Sequence, residues 1–152
     1  MTRINGFKII GISVRTTNQN NQSAQDIGKL WGQFYADKLF DKIPNKLSND
    51  IYSIYTDYKS DFTEDYTTII GLQVNSLDTI PEGLTGRQFL ADTFVQFIAK
   101  GQMPKAVLDT WTNIWEQDKE LNRKYSYDFE IYGDKSQSGE NSEVEIYIAT
   151  KS

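Results

Sequence analysis

Trp31-Gly-Gln-Phe34 stands 24 residues before Tyr55-Thr-Asp57, and Trp111-Thr-Asn-Ile114 stands 21 residues before Tyr132-Gly-Asp134. The spacing repeats further on: Tyr55 to Ile70 and Tyr132 to Tyr147 each cover 15 residues. Around these anchors each half reads as strand, helix, strand, strand. A duplication of this kind predicts an α+β fold: an antiparallel sheet, two main helices on one face, and a groove between the halves. A groove on a pseudo-two-fold axis is walled from both sides, which suits a small-molecule ligand. The halves run from about residue 5 to about 75 and from about 87 to about 151, and the 152 residues are expected to form a single domain.

Working outward, Phe7-Lys-Ile-Ile-Gly-Ile-Ser-Val-Arg-Thr16 is rich in β-branched residues and reads as a strand. Residues 18–22 are polar and form a loop. Ser23 followed by Asp26 fits a capping box, and Ile27, Leu30, Trp31 and Phe34 then recur at helical spacing. That helix is expected to reach Leu39 or Phe40 and to end at Ile43-Pro44-Asn45, because proline disfavours a helical residue before it. Strands follow at 51–58 and 66–74, joined by a polar hairpin loop. The stretch 75–87, with Pro81, Gly83 and Gly86, reads as a crossover loop. Residues 88–99 read as one strand, Gly101 as a turn, and Pro104 as the first turn of a helix. Val107, Trp111, Ile114, Asp118 and Leu121 trace the face of that helix, with Trp115 at its shoulder. Strands at 127–132 and 143–150 complete the second half.

The chain has no cysteine and no histidine, which excludes disulfides, thiolate zinc sites and every triad with a histidine base. The net charge is −5, and no lysine–arginine cluster supplies the basic footprint of a nucleic-acid binder, so direct nucleic-acid binding is not expected. The N-terminus lacks the apolar run of a signal peptide, and no stretch approaches the roughly 20 apolar residues of a membrane span. The cytoplasm is therefore the expected location. Gly83 and Gly86 flank Leu-Thr without opening a helix, so no phosphate loop is read there, and no cofactor or metal is expected.

With 9 Tyr, 8 Phe and 3 Trp, the chain holds more flat rings with polar tips than a core alone requires. Within Asp128-Phe-Glu-Ile-Tyr132, Glu130 and Tyr132 share one face of a strand, and Phe129 and Ile131 the other. The repeat sets Ser53 against Glu130, so the carboxylate occurs in one half only. Two readings stand side by side: a glutamate on a solvated face, or a carboxylate at the floor of an aromatic groove. In the second, a charge pair at 4 Å is worth about 4 kcal/mol at an effective dielectric near 20. Each well-placed ring adds roughly 0.5–2 kcal/mol of cation–π attraction. The expected guest is an amphipathic cation. Tyr55, Tyr132 and Tyr147 on the strands and Trp115 on the helix are the candidate walls. Trp31 and Trp111 read first as packing, with Trp111 also a candidate to line the groove. Tyr52 and Tyr66 follow, and Asp118 reads as a solvated acid. An enzymatic alternative gives Glu130 and a tyrosine the work of activating water, as in a hydrolase. In that reading Glu145, on the face of Tyr147, is a possible partner for Glu130.

Gly11-Ile-Ser-Val-Arg15, the helix Ile27…Leu30-Trp31…Phe34, Ile51-Tyr-Ser-Ile-Tyr-Thr-Asp-Tyr58 and Ile69-Ile-Gly71 together resemble the first half of the GyrI-like, or AraC-type, effector-binding fold. Phe94-Val-Gln-Phe97…Lys100-Gly101, Trp111…Ile114-Trp115, Asp128-Phe-Glu-Ile-Tyr132 and Val144-Glu-Ile-Tyr-Ile148 resemble its C-terminal signature, with the nearest look to integron-associated effector-binding proteins. The resemblance spans nearly the whole chain. It implies a ligand groove at the pseudo-two-fold, and it matches Glu130 to the acid that meets cationic ligands in drug-sensing relatives. In regulators this domain is joined to a helix-turn-helix domain. Here the first strand begins by Phe7, so none is expected ahead of it. Stand-alone relatives include gyrase inhibitors and small-molecule hydrolases. The resemblance thus implies a stand-alone effector-binding protein, with hydrolysis or a protein partner (gyrase or a separate regulator) as alternatives.

Overall fold

Ile9 and Ile10 are neighbours in sequence and both are fully buried, as are Ile69 and Ile70. Adjacent strand residues point to opposite faces, so the strands that carry them are covered on both sides. The computed structural model describes residues 2–151. Its elements are β1 (Thr2–Ile4), β2 (Phe7–Thr16), α1 (Gln22–Ala36), α2 (Leu39–Lys42), β3 (Lys46–Thr56), β4 (Tyr66–Val74), β5 (Thr85–Phe89), β6 (Asp92–Lys100), α3 (Lys105–Glu116), α4 (Asp118–Leu121), β7 (Tyr127–Tyr132) and β8 (Glu143–Ala149). The strands form one eight-stranded sheet in the order β1-β6-β8-β7-β3-β4-β2-β5.

The order is symmetric about β7 and β3. The short strand that opens each half crosses over to the other: β1 pairs with β6, and β5 pairs with β2. All of these pairs are antiparallel. Sequence patterning places neither short strand. The stretch read as a single strand over 88–99 is broken at Leu90-Ala91, where the chain stops pairing with β2 and starts pairing with β8. Leu90 is exposed there, and its carbonyl accepts from Tyr127 Oη at 2.5 Å.

In β3 and β7 Ser53 lies directly opposite Glu130. These are the two residues that the repeat makes equivalent. A residue that pairs with its own repeat-mate sits on the two-fold axis, so Glu130 marks the axis itself. The register also corrects the repeat beyond that point. Ser53 pairs with Ile70 and Glu130 with Ile146, so the mate of Ile70 is Ile146 and not Tyr147. The second hairpin is one residue shorter than the first, and a one-residue slip turns a side chain to the opposite face.

One face takes the helices. Leu30 and Phe34 of α1 pack with Ile10, Ile12, Ile70 and Leu72, while Val107, Trp111 and Ile114 of α3 pack with Val144, Ile146 and Ile148. The other face closes on itself as the sheet curls. Phe7, Phe89, Phe94, Tyr127 and Phe129 meet there although they come from four strands. Phe89 and Tyr127 lie 4.9 Å apart, and Phe7 and Phe129 5.3 Å.

Helix ends differ from the sequence reading. Asn21, at φ 57°, precedes α1 with no side-chain cap, and Ser23 lies inside the helix as its second residue and not at the cap. Asp26 instead accepts from Thr16 Oγ1 at 2.9 Å, tying the helix to β2. Lys38 at φ 52° separates α1 from α2, and Gln117 separates α3 from α4, so each long helix of the sequence reading is two. Pro104 stands at the N-cap of α3. Among the described residues no helix is long and apolar enough to cross a membrane.

Gly11 and Gly71 face each other across β2 and β4. A Cβ on Gly11 would stand 2.1 Å from the carbonyl oxygen of Ile70, a backbone atom that cannot move aside. Gly11→Ala is therefore expected to lower stability by about 1–3 kcal/mol, the usual range for overpacking. Urea denaturation checks this, and a parent-like midpoint would show that the two strands can separate at no cost.

Candidate functional site

Asp128 and Glu130 lie two residues apart on β7, face the helices, and are both buried. Their partners differ. Asp128 accepts from Arg123 Nη2 at 2.8 Å, from Tyr58 Oη at 2.5 Å and from the Ala149 backbone N–H at 2.8 Å. Glu130 accepts from Tyr132 Oη at 2.5 Å on one oxygen, and from Trp111 Nε1 at 2.5 Å and Tyr55 Oη at 3.0 Å on the other. Those three donors are neutral. Among the described residues no lysine or arginine pairs with Glu130.

The electrostatics follow from this inventory. Burial raises the Glu130 carboxyl above its ordinary value, and the hydrogen bonds from Tyr132, Trp111 and Tyr55 oppose the rise without cancelling it. Burial and the nearby Glu130 charge push Tyr55 and Tyr132 well above 10, so both stay protonated and can only donate to the carboxylate. Burial works against the charge of Arg123, but Asp128 beside it outweighs that and holds the guanidinium above its ordinary value. One carboxylate is neutralised; the other is solvated only by ring hydroxyls and an indole.

Rings from both halves roof Glu130, which is 1% exposed. Trp111 meets Tyr55 edge-on at 5.4 Å, and Trp31 meets Tyr132 edge-on at 4.9 Å. Trp31 stacks on Tyr35 at 6.1 Å, and Trp115 stacks on Phe62 at 5.7 Å with 10° between planes. Tyr35, 56% exposed, stands at the edge of this roof. Asn18 Nδ2 holds the Phe62 carbonyl at 2.9 Å, which fixes the β3–β4 loop over the second-half wall.

The structure thus brings Glu130, Tyr132, Tyr55 and Trp111 into one hydrogen-bonded group, with Trp115 one ring further out at 6.3 Å from Trp111. It does not bring Tyr147 there. Tyr147 lies on the opposite face, stacks on Phe129 at 4.8 Å, and donates to Glu145 at 3.0 Å, so Glu145 also faces away from Glu130. Tyr52 shares that far face and donates to Gln73. Tyr66 sits beside Tyr55 at 6.0 Å on the helix side and donates to Asn18. Asp118 is not a free acid: it accepts from Arg123 and from Tyr125.

Sequence reasoning missed Trp31 as a wall, and missed Tyr35 and Phe62 altogether. The signal for two of them was present. Trp31 and Tyr35 are four apart on α1, as Trp111 and Trp115 are on α3, so the repeat carries an aromatic pair in each half. Phe62 lies in a polar loop, and no periodicity points to it.

A duplicated strand–helix–strand–strand sheet with helices on one face is the GyrI-like effector-binding fold. The chain belongs to the integron-associated effector binding protein family, whose model matches residues 1–150. It is similar to the integron cassette protein VCH_CASS2 from the mobile metagenome of Vibrio cholerae. Identity is 33% over 99% of this chain and 94% of that one, with a TM-score of 0.76. The structure of SAV2435 bound to tetraphenylphosphonium superposes with a TM-score of 0.81 over 99% of this chain and 92% of that one. At 19% identity that likeness is one of fold. YobU of Bacillus subtilis (strain 168), which carries the name of a transcriptional regulator, is 25% identical over 99% of this chain and 96% of its own length.

Proposed function

We propose that this chain is a single-domain binding protein for amphipathic organic cations, held against Glu130 between α1 and α3. One observation carries the reading: of two buried carboxylates on β7, Asp128 has an arginine and Glu130, among the described residues, has none. A buried charge without a counter-charge is costly, and a cationic guest supplies the missing partner. The surrounding rings add cation–π attraction without demanding one ligand shape. Because the rings close over the carboxylate, capture requires Trp111, Trp31 or Tyr132 to part, and the guest's own apolar groups replace the contacts they lose. The structure of SAV2435, which shares the fold, is of that protein bound to tetraphenylphosphonium, a cation of this class.

The decisive comparison uses two ions of the same shape and opposite charge. Isothermal calorimetry should show saturable binding of tetraphenylphosphonium and no binding of tetraphenylborate. Equal affinity for both would mean that a greasy cleft and not Glu130 selects the ligand, and binding of neither would remove the proposal.

A further inference from the structure

One buried hydroxyl on the helix-facing side of the sheet, near Glu130, has no evident task. Thr68 on β4 lies directly across from Tyr55, two residues before Ile70, and so shares the helix-facing side. Its side chain is fully buried, and its Oγ1 finds no hydrogen-bond partner among the described residues. Buried polar groups in folded proteins are nearly always paired, and each exception asks for a reason. The neighbouring hydroxyls on the same face are satisfied: Ser53 Oγ donates to Tyr55 Oη at 3.2 Å, and Thr16 Oγ1 to Asp26 at 2.9 Å.

The pseudo-symmetry supplies a control inside the same molecule. Ile70 and Ile146 are repeat-mates by their pairing with Ser53 and Glu130. Two residues earlier on each strand stand Thr68 and Val144, both fully buried. Valine has the shape of threonine without the hydroxyl. Packing therefore accounts for a β-branched side chain at both positions and leaves the oxygen of Thr68 unexplained. Tyr55 links this oxygen to the charge, since its backbone pairs with Thr68 and its hydroxyl reaches Glu130.

We propose that Thr68 is a specificity-determining residue whose hydroxyl binds a polar group of the ligand. The ligand class is then narrower than lipophilic cations at large. It is a cation with a hydrogen-bonding substituent on the order of 10 Å from its charge, two strand spacings, laid along the Tyr55 ring. This rests on the reading of Glu130 as the charge site.

The test uses a matched pair, hexyltriphenylphosphonium and 6-hydroxyhexyltriphenylphosphonium, with tetraphenylphosphonium as reference, on the parent, Thr68→Val and Glu130→Gln. The parent should prefer the hydroxylated compound by about five- to tenfold, the worth of one net hydrogen bond. Thr68→Val should erase that preference, bind tetraphenylphosphonium as the parent does, and melt at a higher temperature, since it loses an unpaired buried hydroxyl. Equal affinities in the parent, a preference that survives in Thr68→Val, or a lower melting temperature in the variant would each overturn the assignment. The two proposals fail differently. A parent that binds no phosphonium removes the cation reading and this one with it. A parent that binds tetraphenylphosphonium through Glu130 and ignores the hydroxyl removes Thr68 alone.

Discussion

Glu130→Gln is expected to weaken tetraphenylphosphonium binding about a hundredfold while the protein stays folded. A charge pair near 4 Å is worth about 4 kcal/mol at an effective dielectric near 20, and part of that is offset by desolvation of the cation, so two factors of ten are the reasonable remainder. Folding survives because the amide oxygen still accepts from the rings and because the variant no longer buries a charge. The variant also reports on pH. Burial raises the Glu130 carboxyl above its ordinary 4.5, so the folded protein holds this proton to higher pH than the unfolded chain does. In the interval from the unfolded value up to the folded one, the folded state binds more protons, and the stability contributed by this group falls as pH rises. Cation affinity moves the other way, because only the ionised carboxylate attracts the guest. Calorimetric titrations from the ordinary carboxylate range upward should therefore show parent affinity climbing with pH, with a midpoint above 4.5, and a flat profile in Glu130→Gln. Parent-like binding by the variant would take the charge away from Glu130, and a rise with pH that persists in the variant would assign the titration to another group.

The duplication was legible because its anchors are large. A tryptophan on each helix and a tyrosine on each inner strand fill the helix–sheet interface, and few smaller residues do that at matching spacing. The facing of Glu130 with Tyr132 was legible because strand alternation needs no knowledge of neighbours. Tyr147 was misplaced by the same rule applied across a turn. Strand period is two, so an unseen one-residue difference between hairpins inverts the answer, and polar loops hide their own length requirements. The strands β1 and β5 were invisible because a three-residue and a five-residue edge carry too little pattern, and their pairing partners belong to the opposite half. The capping box failed because Asp26 had a better partner in Thr16, a residue on another element. Nothing in the sequence separates Asp128 from Glu130. Both read as acids on one strand face, and what distinguishes them is Arg123, five residues before Asp128 on a segment with no periodicity.

Arg123 carries the other large effect. Its side chain is 1% exposed, it bridges Asp128 at 2.8 Å and Asp118 at 3.3 Å, and its guanidinium lies 4.3 Å from the Tyr125 ring centre and 5.8 Å from that of Trp111. Arg123→Met keeps much of the apolar stem but leaves Asp128 fully buried with only Tyr58 and the Ala149 N–H to hold it. Breaking one side of a buried pair typically costs about 3–5 kcal/mol, and guanidinium denaturation should show a loss of that size. Adding Asp128→Asn should recover much of it, since the amide oxygen still accepts from Ala149 while the stranded charge is gone. A single variant within about 1 kcal/mol of the parent would show that water or a rearranged ring replaces the arginine readily. The comparison bears on the ligand site. Arg123→Met puts Asp128 in the condition that Glu130 occupies in the parent, a buried carboxylate with neutral donors and no cation. Asp128 is fully buried and tied to the backbone of β8 through the Ala149 N–H, so its loss of charge balance is expected to be simply destabilising. Glu130 takes all three of its donors from aromatic side chains, each edge-on to a neighbouring ring, and the proposed capture of a cation requires those rings to part.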